Sequence, residues 1–107
     1  MIWHVDYTDE ALDDLKGIYE YIAFTLLEPT TAANLTGILM DAADSLDHLP
    51  FRHPLYHNEP WRSKGLRFMP VENYAVFYIP VEATQTVTII RIMYGARDID
   101  KHLYSDN

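Results

Sequence analysis

The sequence predicts an α+β domain: an N-terminal strand, a helical hairpin, a three-stranded antiparallel meander and a short C-terminal helix, with the strands in one mostly antiparallel sheet. Three observations carry this expectation. Residues 74–79 and 86–94 are aromatic and β-branched runs, which suit a pleated, half-buried surface. The link between them, Pro80 to Gln85, is too polar for a core and too short for the crossover that parallel strands need. Upstream, apolar residues recur at helical spacing in two consecutive stretches.

In chain order, Ile2 to Tyr7 is expected to form the first strand, with Ile2, Val5 and Tyr7 as its packing residues. Thr8 stands where a helix N-cap belongs, and Asp9 and Glu10 suit the positive end of a helix dipole. Ala11, Leu12, Leu15, Ile18, Tyr19, Ile22 and Leu26 then make one apolar stripe over residues 9–27. Pro29 ends that helix or opens the next, and Thr30 or Thr31 can cap a second helix over 31–49, striped by Leu35, Ile38, Leu39, Ala42, Leu46 and Leu49. Pro50 closes the hairpin. Phe51 to Ser63 is irregular, punctuated by Pro54 and Pro60, with Trp61 expected to anchor it to the body. The strands of the meander begin with the run from Gly65 to Pro70.

At 107 residues the chain reads as one domain, 1–107, with neither an internal boundary nor a repeat. It has no cysteine, which excludes a disulfide framework and a thiolate metal site. No apolar run is long enough to span a bilayer, and Ile2-Trp3-His4-Val5-Asp6 lacks the basic start and apolar segment of a signal peptide, so a cytoplasmic location is expected. His53 and His57, with His48 upstream, have a spacing that binds metal on a helix, but Pro54 interrupts that helix and no third ligand is at hand. Neither metal nor cofactor is expected.

The net charge of −8 argues against nucleic acid taken as a whole, because phosphate binding is driven by Lys and Arg. Its distribution is more informative. Residues 1–51 hold ten Asp and Glu against Lys16, whereas 52–97 hold Arg52, Arg62, Lys64, Arg67, Arg91 and Arg97 against Glu59, Glu72 and Glu82. Strict alternation after Thr86 places Val87, Ile89, Arg91 and Met93 on one face, and Thr88, Ile90, Ile92 and Tyr94 on the other, with Ile90 and Ile92 expected to meet the hairpin. Arg67 joins Arg91 on the far face if Leu66 and Phe68 point to the core. With Lys64 and Arg97 at the strand ends and Tyr74, Tyr78 or Tyr94 beside them, that face suits a phosphodiester, because the guanidinium fork makes paired bonds to phosphate oxygens. The alternative is that Arg67 and Arg91 pair with the protein's own acids and fix register. Both readings stand at this level.

The layout resembles the RelE/ParE superfamily of toxins from type II toxin–antitoxin modules. The likeness is carried by Val71-Glu72-Asn73-Tyr74-Ala75-Val76-Phe77-Tyr78, and by Val87 to Ile99 with its Gly95-Ala96-Arg97-Asp98 exit. It covers nearly the full chain, in the order strand, hairpin, three strands, short helix.

That resemblance implies a growth-inhibiting toxin held by a cognate antitoxin, whose extended segment folds on binding and covers the cationic stretch of residues 62–97 and an exposed sheet edge. It also implies one of two targets. RelE-like members cut mRNA on the ribosome, where the 2′-hydroxyl attacks the neighbouring phosphate and the site must neutralise charge and move protons. ParE-like members inhibit DNA gyrase and need no such site. Carried over residue by residue, Arg97 matches an active-site arginine, Lys64 and Arg67 fall near the basic strand, and Tyr104 lies close to the catalytic tyrosine position. Arg67, Arg91, Arg97 and Tyr104 are thus the candidate catalytic residues, and Arg62, Lys64 and Tyr94 the candidate RNA-contacting ones. Two positions depart from the RNase pattern: Ala75 stands where an arginine is expected, and Tyr94 replaces a frequent histidine. Together with the acidic charge, these tilt the reading away from an efficient ribosome-dependent nuclease. A toxin fold retained only to bind the antitoxin is the remaining alternative.

Overall fold

The structure, a computed structural model, describes residues 2–95 and Leu103. It runs β1 (His4–Tyr7), α1 (Asp9–Glu20), α2 (Pro29–Asp44), β2 (Arg67–Val71), β3 (Tyr74–Val81) and β4 (Thr86–Tyr94). The strands form one sheet in the order β1-β4-β3-β2; the meander pairs antiparallel, and β1 adds to β4 in parallel. The α+β class and the mostly antiparallel sheet follow the sequence. The first strand is shorter than expected, starting at His4, because Trp3 N–H is already bonded to the Asp47 carbonyl at the end of the hairpin.

Thr8 caps α1 as its position suggests, its Oγ accepting from Ala11 N–H at 3.1 Å. The same hydroxyl reaches the carbonyls of Ile89 and Ile90 at 3.0 and 2.9 Å, so the cap also ties the helix start to β4. The regular helix stops at Glu20 and continues as a π-helical turn over Tyr21–Thr25. α2 opens directly on Pro29, where a missing N–H costs nothing, rather than at Thr31. It gives way at Asp44 to a 3₁₀ turn, Ser45–Asp47. The buried stripes are narrower than the apolar ones: Ala11, Leu15 and Ile22 are buried on the first helix, while Leu12 and Leu26 are about half exposed. On the second, Leu39, Ala43 and Leu46 are buried, whereas Ile38 and Leu49 are not.

β3 runs to Val81 and includes Pro80. β2 stops pairing at Tyr78, so the proline sits where β3 has a single neighbour, the setting that tolerates it.

The expected split of β4 between two faces is overturned for Val87, Ile89 and Ile90, and holds for Ile92 and Met93. Phe77 pairs with Arg91 and Tyr78 with Ile89, leaving Ile90 as an extra residue, a β-bulge. The bulge reverses the alternation half-way along the strand. Val87, Ile89 and Ile92 therefore share the face beneath the hairpin, with Leu15, Leu39, Leu46, Val76 and Tyr78. Ile90 and Met93 turn the other way. Leu66 and Phe68 also point away from the hairpin, and with Phe77, Ala75, Tyr56, Trp61 and Leu103 they build a second core on the far face. That face is covered by the irregular 54–65 segment, held by Tyr56 N–H to Leu66 O at 2.7 Å and Phe68 N–H to Pro54 O at 3.2 Å. Trp61 anchors the loop as expected. The C-terminal helix of the sequence reading falls outside the described residues, apart from Leu103, which is helical and buried.

Candidate functional site

The two mid-strand arginines lead in different directions. Arg91 follows the bulge and turns around the edge of β4, beyond the point where β1 stops pairing, toward α1. Its Nε donates to Asp14 Oδ2 at 2.7 Å and its Nη2 to Oδ1 at 2.9 Å, a bidentate pair with side chains only 13% and 14% exposed. Asp14 Oδ2 also accepts from Ile92 N–H at 2.9 Å. One carboxylate thus neutralises the arginine and occupies the strand edge. The hydrogen bonds it donates to Asp14 hold Arg91 charged even more firmly than an ordinary arginine, against a smaller opposing effect of burial.

Arg67 pairs with Tyr78 across the sheet, and Tyr78 belongs to the core beneath the hairpin. Its guanidinium donates through Nη1 to the carbonyls of His53 at 2.6 Å and Phe51 at 3.2 Å, and lies 5.1 Å from the centre of the Phe51 ring. Tyr78 Oη donates to Pro50 O at 2.7 Å. Arg67 and Tyr78 together clamp the Pro50–His53 turn by its backbone. Burial raises the Tyr78 pKa, and burial followed by the nearby Arg52 charge lowers that of His53. Arg67 Nε is buried with no hydrogen-bond partner among the described residues.

Lys64 lies 4.7 Å over the Trp61 ring on the covering loop of the far face, and Arg62 is exposed beside it. Tyr94 is half exposed at the end of β4, its ring set edge-on to Tyr74 at 5.5 Å. Ala75 faces Met93 inside the far-face core. Arg97 and Tyr104 lie outside the described residues. The shared cationic sheet face drawn from strict alternation is therefore not formed by Arg67 and Arg91. They flank β3 from β2 and β4, one turned to the 51–53 carbonyls and the other to Asp14. The reason is the bulge at Ile90 together with the inward turn of Leu66 and Phe68 to a second core.

Parts of the sheet edge are occupied among the described residues. Leu55 bridges to Arg67 along the start of β2, Pro70 lacks a donor further on, and Asp14 fills the edge of β4 at Ile92. Among the described residues no group of three or more His, Asp or Glu could hold a metal ion, and no helix is long and apolar enough to cross a membrane.

One concave feature was missed in the sequence. A cleft of about 840 Å³ runs between α1 and the Tyr74/Tyr94 end of the sheet. Ile18, Ile22, Leu35 and Ile92 line its apolar part, Tyr21, Tyr74 and Tyr94 give it aromatic walls, and Asp13 and Asp14 stand on its α1 side. Gly17 lies one turn further along the helix, with no atom within 4 Å of where a Cβ would stand. A glycine in mid-helix costs about 1 kcal/mol relative to alanine, and that, in an otherwise continuous stripe, was the available signal.

The sequence and the fold match one class of protein. The sequence profile of the ParE toxin of type II toxin–antitoxin systems (parDE) matches residues 5–99, and the chain belongs to this family. Comparison of structures agrees. The chain is similar to a chromosomal ParDE toxin–antitoxin system from P. aeruginosa, at 19% identity and a TM-score of 0.71, over 87% of this chain and 96% of that one. It is also similar to a free double mutant of the E. coli toxin RelE, at 12% identity and a TM-score of 0.67, over 98% and 93% of the two chains. The RelBE2 toxin–antitoxin complex from Mycobacterium tuberculosis matches at 21% identity and a TM-score of 0.62, over 91% and 95%. A comparison with curated protein sequences gives no significant match. The chain is thus a type II toxin by family, of the RelE/ParE superfamily that the meander and its exit resemble.

Proposed function

We propose that this toxin inhibits growth by binding a protein target, DNA gyrase among the family's alternatives, rather than by cutting RNA, and that a cognate antitoxin neutralises it. The observation that carries the reading is the closed pair of Arg91 and Asp14. The mid-strand cation most suited to a phosphodiester is already bound by two oxygens of the protein's own carboxylate. Preorganised charge is usually the largest contribution to a phosphoryl-type transition state, and a cation already satisfied by an internal acid contributes little of it. Ala75 and the net charge of −8 add to this, since acid opposes approach to RNA. The antitoxin follows from the family and from relatives described as toxin–antitoxin complexes.

Induced expression with three readouts tests the proposal: growth, DNA supercoiling by purified gyrase, and mRNA integrity in a translation extract. Growth arrest with blocked supercoiling and intact mRNA is the expected result. mRNA cleavage that is lost in Arg67→Ala or Arg97→Ala would overturn it in favour of the nuclease. No arrest under any condition would leave a toxin fold kept for antitoxin binding alone.

A further inference from the structure

We propose that the cleft between α1 and the Tyr74/Tyr94 end of the sheet is the seat of a positively charged amphipathic segment of the partner protein. Its apolar side chains would enter over Gly17, and its Lys or Arg side chains would meet Asp13 and the acids around it. This rests on the antitoxin reading for the identity of the partner and goes beyond it in naming the chemistry of the contact.

Charge selects the occupant. α1 carries Asp9, Glu10, Asp13, Asp14 and Glu20 against Lys16. Asp14 is consumed by Arg91, but Asp13, on the same wall, makes no ion pair with any described residue. Among the described residues no Lys or Arg lines the cleft. A second copy of the chain brings another −8 and is repelled. A cationic segment is attracted at long range and seated at short range.

Shape selects the amphipathic character. The side chains of Ile18, Ile22 and Leu35 are apolar and face open space in the cleft. Gly17 leaves room above them that a side chain would fill without meeting any neighbour. Apolar anchors between charged flanks are how an amphipathic segment lies in a groove. The unoccupied space over Gly17 is where such an anchor fits.

The space also supplies a clean test. Gly17→Leu fills the cleft from the toxin side and suits a helix better than glycine, so the variant folds with an unchanged or raised melting temperature. The probe is the protein encoded by the neighbouring reading frame, titrated against wild type, Gly17→Leu and Asp13→Lys. Expected is a loss of affinity of tenfold or more for each variant, with the Asp13→Lys loss shrinking as salt rises. Wild-type affinity for Gly17→Leu would overturn the proposal while leaving the antitoxin reading intact.

If that protein does not bind the wild-type chain, the antitoxin reading fails, and a synthetic 18-residue Leu/Lys amphipathic peptide with its Leu/Glu twin decides the cleft. In amide NMR spectra, shifts at Gly17, Asn73 and Tyr94 with the Leu/Lys peptide alone support the proposal. No shifts, or equal shifts from both peptides, overturn it.

Discussion

The two faces of the sheet are both buried, but by different physics. Under the hairpin the core is mostly aliphatic: Leu15, Leu39, Leu46, Val76, Val87, Ile89 and Ile92 come from regular helices and strands whose spacing aims them inward. On the far face aromatic rings take a larger share beside Leu66, Met93 and Leu103. Tyr56, Phe68 and Phe77 meet edge-on or stacked at 5.9–6.4 Å, roofed by a loop with little regular structure. Periodic elements cover a face with many moderate side chains. An irregular segment covers it with a few large ones, because each ring buries 150–250 Å² from a single anchor point. The charged side chains divide in the same way. Arg91 fastens a helix to the sheet on one side, while Arg67 fastens the turn that leads into the loop.

Substitution of Phe77 gives the largest test of this contrast. The ring is 2% exposed and touches both Tyr56 and Phe68. Phe77→Ala should lower unfolding stability by about 3–5 kcal/mol, as for other buried aromatics, measured by urea denaturation. A loss below about 1 kcal/mol would mean that the far face is an open surface and not a core. The same reasoning changes what Ala75 means. Packed with Met93 and Leu103, it has no room for the arginine that an RNase site would carry there, so Ala75→Arg should destabilise the fold rather than restore cleavage.

The Arg91–Asp14 pair comes next. Arg91→Ala leaves a mostly buried carboxylate with one remaining donor, Ile92 N–H, and should cost about 2–3 kcal/mol. Arg91 is therefore not a neutral position at which to test activity, since a loss of toxicity there mixes chemistry with folding. The double variant Asp14→Leu with Arg91→Met removes both charges and should recover much of the loss. Additive losses in that cycle would show that the two side chains are not coupled in solution.

What was legible in the sequence follows the same division. Thr8 as cap, the two stripes and the meander were readable, because a cap, a 3.6 period and a short polar link each have a residue-level signature. The bulge at Ile90 was not. Thr88-Ile89-Ile90-Arg91-Ile92 is apolar through its centre, so no polar residue marks which way each side chain points, and one inserted residue flips the rest of the strand. That single slip put Val87, Ile89 and Ile90 on the wrong sides, whereas Ile92 and Met93, beyond the bulge, face as expected. The second core was hidden for a related reason, since the spacing of Tyr56, Trp61 and Leu66 is neither that of a helix nor that of a strand. The cleft was marked only by Gly17.

Gly17 gives a smaller effect of opposite sign. With no atom near its Cβ position, Gly17→Ala should stabilise the protein by about 0.5–1 kcal/mol through the unfolded chain's lost freedom. It should do so without the loss of partner affinity expected of leucine, because one methyl does not fill the cleft. Thermal unfolding of the two variants side by side checks this, and a destabilised Gly17→Ala would mean that the helix is crowded there.

The smallest effect belongs to His53, which sits where the Arg67 clamp meets the loop. Its ring lies edge-on to Tyr78 at 6.5 Å, and burial, then Arg52, lowers its pKa below the ordinary value of 6.5. With the pKa depressed in the folded state, the unfolded chain binds more protons near that pH. The stability this histidine contributes is present above about pH 6.5 and is lost as pH falls toward the folded-state value. Urea denaturation of wild type and His53→Gln at pH 8 and pH 5 isolates it, because the other titrating groups cancel in the difference. Relative to the variant, wild type should lose stability on acidification. A difference that stays constant with pH would mean that the ring is as well hydrated folded as unfolded, and that the Pro50–His53 turn rests on its backbone clamp alone.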